Sequence, residues 1–251
     1  MRLKVIACKV LYREISLLTL KGAHIYDVTY LRQGYHDTPE LLQQQLQKEI
    51  DKIENNEDEY TNNIERAGDF DAIVLGYGLC SNGIVGLKST KYPLVIPKAH
   101  DCITLFLGSK ERYQGLFDKS SGGIYWYNAG WIDNAFVPSK ERYEQLYTQY
   151  AELYGEDNAE YLLEMENSWM REYKKNIYIR WEGFERPGYA DFSRECARFF
   201  NWEYEEVTGK AKLLEDLLSG NWDSERFLVV QPGQKVKASF DSEVITVEGD
   251  A

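Results

Sequence analysis

The chain has 251 residues, of which 43% are hydrophobic and 14% aromatic, so it carries enough apolar side chains for a sizeable core and is not a disordered protein. Its net charge of −12 argues against a broad nucleic-acid interface or contact with an anionic membrane surface. No apolar stretch is long enough to predict a transmembrane helix. The apolar run near the start is also too short for the core of a signal peptide. We therefore expect a cytoplasmic protein whose four cysteines are free, metal-bound or catalytic.

Apolar segments alternate with helical segments through the first half of the chain. The pattern predicts strands over residues 3–8, 25–31, 71–75 and 93–97, of which 3–8 and 71–75 are buried runs and 25–31 alternates. Helices are predicted over residues 10–20, 37–54, a stretch reaching 67, and 103–108 with its continuation. Asp37 is expected to cap the second helix, Pro39 fits its first turn, and Asp101 is expected to cap the last. The apolar face of the second helix is predicted to consist of Leu41, Leu42, Leu46, Ile50 and Ile53.

The second half is predicted to add strands at 124–127 and 177–181, with a helical insertion at about 139–175 between them. Helices over 191–200 and 209–218 follow, and strands over 227–231 and 236–247 end the chain. Strands that alternate with helices form a parallel sheet with right-handed crossovers. The sequence therefore predicts one α/β domain over residues 1–251, with a doubly wound, mainly parallel sheet, a helical insertion and a C-terminal antiparallel strand pair.

The most informative feature is the position of the cysteines and histidines. Cys8 ends the first strand, Cys80 follows the third, and His100 and Cys102 follow the fourth, while His36 follows the second. Ligands of open parallel sheets bind outside the carboxyl ends of the strands, beside the point where strand order reverses. A 2-1-3-4 strand order would place the first and third strands side by side, so these donors are expected at one edge of the sheet.

Three thiolates and one imidazole form a known structural zinc set, and soft donors favour zinc or an iron–sulfur cluster over magnesium or calcium. The sequence therefore predicts a zinc site formed by Cys8, Cys80, His100 and Cys102, which becomes open to a substrate if one ligand swings away. His36 is predicted to be a reserve ligand or a catalytic acid or base. A pocket for the cofactor or substrate is predicted at Tyr77, Gly78 and Trp131.

Each residue also has a purely structural interpretation. Cys8 can be a small buried hydrophobe, His36 can pack beside Pro39, and Tyr77 and Trp131 can be core aromatics. His24 and Cys196 are expected to be structural.

Two other chemistries remain open. Gly76, Gly78 and Gly83 follow a strand, but the spacing lacks the third glycine of a dinucleotide fingerprint and the lysine of a phosphate loop. A metal-free enzyme would use Cys80 or Cys102 as nucleophile and His100 or His36 as base.

Five segments together resemble one family; they are Ile6-Ala7-Cys8, Gly34-Tyr35-His36-Asp37-Thr38-Pro39, Leu75-Gly76-Tyr77-Gly78-Leu79-Cys80, Ile96-Pro97-Lys98-Ala99-His100-Asp101-Cys102 and Gly130-Trp131. That family is a domain of unknown function from anaerobic bacteria and methanogenic archaea, often encoded near corrinoid-dependent methylamine methyltransferases. The resemblance implies a methyl-transfer setting, a corrinoid as a further cofactor, and a corrinoid protein or methyltransferase as partner. Lys98 stands where the family pattern leads us to expect arginine, which counts against an anion-binding role there.

His100-x-Cys102 is also similar to the pair with which zinc enzymes that methylate coenzyme M hold their metal, together with a distant cysteine. The extra cysteines here precede the pair, so the likeness is one of chemistry and not of fold. Zinc in such a site lowers the pKa of a thiol and presents thiolate to a methyl donor. Together with the resemblance, the sequence favours a metal-binding enzyme, methyltransferase-like, or an accessory protein of corrinoid-linked methyl metabolism. The alternatives are a non-catalytic carrier of a metal, cluster or corrinoid and a metal-free cysteine enzyme.

Overall fold

The computed structural model describes residues 1–57, 70–120, 123–183 and 188–248. The helix predicted to reach residue 67 lies outside these ranges. The chain divides into two compact units, of which the first comprises residues 1–112 and 210–251 and the second residues 113–209. The prediction of one domain over the whole chain stays a prediction. Within the described ranges, no helix is long and apolar enough to cross a bilayer.

The first unit opens the chain with alternating strands and helices. Its elements are β1 (Arg2–Cys8), a 3₁₀ turn (Lys9–Leu11), α1 (Tyr12–Lys21), β2 (Ile25–Leu31), a 3₁₀ turn (Tyr35–Asp37), α2 (Pro39–Glu54), β3 (Ala72–Gly76), β4 (Leu94–Pro97) and α3 (Cys102–Leu107). Helix α4 (Lys110–Phe117) begins in the first unit and ends in the second.

The second unit follows, and the chain then returns to the first. The elements of the second unit are β5 (Gly123–Tyr127), α5 (Ala129–Asn134), α6 (Lys140–Tyr154), α7 (Glu156–Glu166), a 3₁₀ turn (Ser168–Glu172), β6 (Tyr173–Arg180), α8 (Tyr189–Phe199) and β7 (Glu203–Thr208). The returning elements are α9 (Lys212–Ser219), β8 (Phe227–Val230), β9 (Lys235–Ala238) and β10 (Ile245–Glu248).

A five-stranded sheet in the order β2-β1-β3-β4-β8 organises the first unit. Its first four strands are parallel, and β8 joins β4 in the antiparallel sense. The predicted mixed α/β fold with a mainly parallel sheet and the 2-1-3-4 order is therefore confirmed. Strand β1 lies between β2 and β3, with Cys8 opposite Leu31 and Ala7 opposite Gly76. The carboxyl ends of four parallel strands thus meet at one edge.

Helix α2 covers one face of this sheet with a narrower apolar stripe than predicted. Its buried residues are Leu42, Leu46, Ile50 and Ile53. Leu41 is 37% exposed, so its assignment to the buried face was wrong. Pro39 occupies the first turn as predicted, but Asp37 does not cap the helix, because the chain around it forms a 3₁₀ turn and Thr38 takes the capping position without a side-chain hydrogen bond.

The C-terminal hairpin of β9 and β10 is antiparallel as predicted and packs into the same core as α2. Its turn is held by Lys98, whose ammonium group pairs with Glu243 and donates a 2.7 Å hydrogen bond to the Ser224 carbonyl. Lys98 is only 9% exposed, so its ammonium group interacts with these protein groups and not with bulk solvent. Lys98 therefore links the loop after β4 to the turn between β9 and β10.

A second, three-stranded parallel sheet in the order β5-β6-β7 belongs to the second unit. Helices α6 and α7 pack together inside the segment predicted to be helical, but residues 173–175, at its predicted end, belong to strand β6. Strand β7 was not predicted, because its glutamates give it no apolar periodicity.

The packing of α2 predicts a strong contrast between two of its aliphatic positions. Ile50→Ala removes a fully buried side chain and should lower the free energy of unfolding by about 2–5 kcal/mol. Leu41→Ala, at the partly exposed position, should cost less than about 1 kcal/mol. Urea unfolding followed by circular dichroism measures both, and equal losses would contradict the burial pattern.

Candidate functional site

The ends of β1, β3 and β4 converge on one place. Because Ala7 pairs with Gly76, the next residues along the two strands, Cys8 and Tyr77, are neighbours at the strand ends. The loops after β3 and β4 continue as a pair beyond the strands. The Leu79 N–H donates to the Ala99 carbonyl at 2.7 Å, and the Cys80 N–H donates to the His100 carbonyl at 2.9 Å. Cys80 therefore lies beside the segment that carries His100 and Cys102.

Glycines allow this close approach. A Cβ atom at Gly78 would lie 2.7 Å from the Ala99 carbonyl oxygen and 2.8 Å from the Asp101 nitrogen, which no side chain tolerates. At Gly76 and Gly83 a Cβ atom would meet the side chains of Ala7 and Leu42 at 2.6 and 2.5 Å. Packing against protein atoms thus accounts for all three glycines that suggested a phosphate loop.

Cys80 begins a strained turn. Cys80, Ser81 and Asn82 have φ values of 46°, 57° and 71°. These values lie in the left-handed region, which residues other than glycine and asparagine seldom adopt. Each such residue costs about 1–2 kcal/mol, and such strain concentrates at functional sites. The turn is closed by a 3.0 Å hydrogen bond from the Gly83 N–H to the Cys80 carbonyl.

Helix α3 places Cys102 at its first residue. Asp101 caps the helix as predicted, because its Oδ1 accepts hydrogen bonds from the N–H groups of Ile103 at 3.0 Å and Thr104 at 3.3 Å. Burial raises the pKa of the Asp101 carboxyl above its usual value, while these hydrogen bonds and the nearby His100 and His36 act to lower it. Asp101 is thus a member of the cluster, whereas its sequence position suggested only a cap.

The three cysteines of the cluster are free and partly buried. Burial raises the pKa of Cys8 to about 11 and that of Cys80 to about 12, and it also raises the pKa of Cys102. Backbone N–H groups oppose this effect. Lys9 and Val10 donate to the Cys8 sulfur, and Gly78 donates to the Cys80 sulfur. Each sulfur is therefore placed where a thiolate would receive hydrogen bonds.

Tyr77 belongs to the core against which Cys8 and Cys80 pack. It is 3% exposed, and its hydroxyl is buried without a hydrogen-bond partner. The pKa of the Tyr77 phenol is raised well above its usual value by burial and, further, by proximity to Cys8, Cys80 and Cys102. All three cysteines therefore lie in the neighbourhood of Tyr77.

The histidines lie at the rim of the cluster. His100 is exposed, although its carbonyl is held by Cys80. His36 lies in the 3₁₀ turn after β2, with Nε2 3.3 Å from the Asp37 carboxylate. Among the residues that the structure describes, no group of three or more His, Cys, Asp or Glu side chains is arranged so as to hold a metal ion.

Trp131 belongs to the second unit, where it lies in α5. Its backbone N–H donates to Asn128 at 2.9 Å, and its indole N–H donates to the Tyr125 hydroxyl at 3.2 Å. Its predicted role in a pocket stays a prediction. Cys196, expected to be structural, is buried and hydrogen-bonded to Tyr127.

A family model described as "protein of unknown function" (DUF1638) matches residues 30–218. The chain belongs to this family. No curated protein and no solved structure matches the chain. The matched range contains Tyr77, Cys80, His100 and Cys102, whereas Cys8 precedes it.

The close contact at Gly78 predicts that a methyl group there disturbs the loops. Gly78→Ala should lower the free energy of unfolding by about 1–3 kcal/mol, because the new Cβ meets backbone atoms that have no room to move. Gly115→Ala is the control: this helical glycine has no atom within 4 Å of an added Cβ, so the change should be neutral or stabilising by up to about 1 kcal/mol. Chemical unfolding of the two variants measures the difference, and an undisturbed Gly78→Ala protein would contradict the contact.

The raised pKa values predict slow alkylation of the metal-free protein. At pH 8 a thiol with a pKa of about 11 is almost entirely protonated, so Cys8 should react with iodoacetamide about a hundredfold more slowly than free cysteine. The rate should rise with pH up to at least pH 10. Mass spectrometry of chelator-treated protein measures it, and a plateau near pH 9 would show that the thiol is not buried as described.

Proposed function

We propose that this protein binds a soft metal ion, zinc in the first place, through Cys8, Cys80 and Cys102, with His100 as the fourth ligand. The observation that carries the proposal is that the backbone brings the exits of three strands together, with Cys8 beside Tyr77 and the Cys80 loop hydrogen-bonded to the segment of His100 and Cys102. Three cysteines at one sheet edge exceed what a single nucleophile needs, and soft thiolates favour zinc or iron–sulfur clusters.

The surroundings of the sulfurs support a thiolate site. Backbone N–H groups donate to Cys8 and Cys80, and such hydrogen bonds stabilise metal-bound thiolates. The donors are not preassembled, so binding requires the cysteine side chains to rotate towards the ion. The hydrogen bonds that Leu79 and Cys80 donate to the loop after β4 would keep the backbones of both loops in place while these side chains rotate.

The fourth position would be the one that exchanges. His100 is exposed, whereas the three cysteines are partly buried, so an imidazole ligand there has the shortest path to solvent. An exchangeable ligand makes a zinc site catalytic, because a substrate can replace it. His36 and Asp101 lie close enough to influence each other, and they would supply an acid or base beside this position.

A methyl-transfer reaction fits such a site. When bound, the metal would supply a thiolate at neutral pH. A thiolate sulfur would attack the methyl carbon of a donor, forming the S–C bond while the bond to the leaving group breaks and its electron pair departs with that group. The corrinoid-linked setting implied by the resemblance would supply the donor from a corrinoid protein or methyltransferase.

Two other functions compete with this proposal. A metal-free cysteine nucleophile is less well supported, because buried thiols without an activating cation react poorly. A carrier or structural role differs from catalysis in its coordination, since a closed four-ligand site would exchange no ligand.

The proposal predicts about one zinc ion per chain in protein purified without oxygen or chelators. Cys80→Ala and Cys102→Ala should each remove most of the metal, since each loses a ligand. Cys196→Ala is the matched control, because that thiol lies in the second unit and should not affect occupancy. Elemental analysis for zinc, iron and cobalt, with an assay for acid-labile sulfide, makes the measurement.

The outcomes separate the alternatives. Iron with sulfide in place of zinc would identify a cluster carrier. Metal content that is unchanged in both ligand variants, or absent from the wild type after incubation with zinc, would overturn the proposal.

A further inference from the structure

We infer that a pocket in the second unit binds a small apolar zwitterion, a molecule with an apolar body, a free ammonium group and a free carboxylate group. An aromatic amino acid and a short apolar peptide both have this chemistry. The pocket shares no residue with the cysteine cluster, so the inference goes beyond the proposed metal binding and does not depend on it.

The first argument is the size and place of the pocket. Its volume is about 660 Å³, within the range of about 300–1,000 Å³ that is typical of small-molecule sites. Residues of α6, α7, the 3₁₀ turn at Ser168–Glu172, the start of β6 and the segment between α8 and β7 line it. All of these elements belong to the second unit.

The second argument is the apolar part of the lining. Trp202 is buried and stacks on Phe200, with the ring centroids 4.9 Å apart, and its ring lies 5.9 Å from that of Tyr173. These rings hold one another in place, so the apolar surface is formed before any ligand binds. The apolar and aromatic side chains of the lining are Tyr143, Leu163, Met170, Tyr173, Phe200 and Trp202.

The third argument is the charged part of the lining, which consists of four exposed side chains. Glu160 and Glu164 lie one turn apart on α7, and Arg171 pairs with Glu164. The Lys174 ammonium group donates a 3.0 Å hydrogen bond to the Arg171 carbonyl. Glu160 and Lys174 form no ion pair with any residue in the described ranges. The pocket therefore offers one carboxylate and one ammonium group that lack a counter-charge.

These features together select the class of ligand. An anion would compensate Lys174 but would be repelled by Glu160, and a cation would have the opposite effect. An uncharged hydrocarbon would leave both charges uncompensated. A molecule with an ammonium group for Glu160, a carboxylate for Lys174 and an apolar body for the aromatic lining matches all of them.

Two sources supply this chemistry. A free amino acid carries both charged groups on one carbon atom, whereas a dipeptide can separate them by up to about 7 Å. The apolar lining favours aromatic or large aliphatic side chains in either case.

The test is isothermal titration calorimetry of the full-length protein with the three aromatic L-amino acids and the dipeptide phenylalanyl-leucine. Each compound is compared with its N-acetylated form, which lacks the ammonium group, and its C-amidated form, which lacks the carboxylate. At least one of the four should bind, and both of its blocked forms should bind about tenfold more weakly, because each loses a charge-assisted hydrogen bond. Glycylglycine has both charges but no apolar side chain, and it should also bind at least about tenfold more weakly.

Two variants assign the charged groups. Glu160→Gln should bind the free and the N-acetylated ligand about equally, and Lys174→Gln should bind the free and the amidated ligand about equally. Both side chains are exposed, so neither change should unfold the protein. Glu156→Gln and Lys119→Gln make the same charge changes at exposed positions outside the pocket and should discriminate as the wild type does.

Each result supports or overturns the inference. Binding of an amino acid or of the dipeptide alone would identify the source of the ligand. A wild-type protein that binds none of the four compounds, or that binds the blocked forms as tightly as the free ones, would overturn the inference. Discrimination that persists in Glu160→Gln and Lys174→Gln, or that is lost equally in the two control variants, would also overturn it.

Discussion

The pairing of β1 with both β2 and β3 is the constraint on which the candidate site depends. A parallel sheet can bring distant cysteines together only if the strands that precede them are neighbours and end at the same level. The register that sets Ala7 opposite Gly76 meets this condition for Cys8 and Tyr77. The hydrogen bonds between the loops after β3 and β4 extend the same order past the strand ends, so the backbone is fixed beyond the regular sheet.

Much of this fold could be predicted from sequence, because strands buried on both faces are continuous apolar runs. Positions 3–8 and 93–97 gave strands with nearly the observed bounds in this way, whereas the edge strand β2 was found at 25–31 by its alternating pattern. The glutamate-rich β7 could not be found in this way, since it is recruited by its neighbour in the sheet. The exposure of His100 and the left-handed turn at Cys80 depend on backbone angles that residue types do not specify. Sequence therefore indicated which donors share an edge, but not where each side chain lies.

Two effects act in opposite directions on the pKa values of the cysteine thiols in the cluster. Burial disfavours a charged sulfur, whereas the backbone N–H groups beside Cys8 and Cys80 favour it. In the metal-free protein burial dominates, and the thiols are held protonated. A bound cation would reverse the balance, because its charge opposes desolvation while the hydrogen bonds remain. The same environment would therefore keep the thiols protonated unless a cation binds beside them.

The central position of β1 also has a practical consequence for the family boundaries. The range matched by the family model begins at residue 30 and ends at 218, so it omits an inner strand of the sheet and the hairpin that Lys98 anchors through Glu243. A protein fragment cut to that range would leave β3 with an unpaired edge and an open core face. The matched range thus lacks strands of the first unit's core, and protein prepared for biophysical work should include residues 1–29 and 219–251.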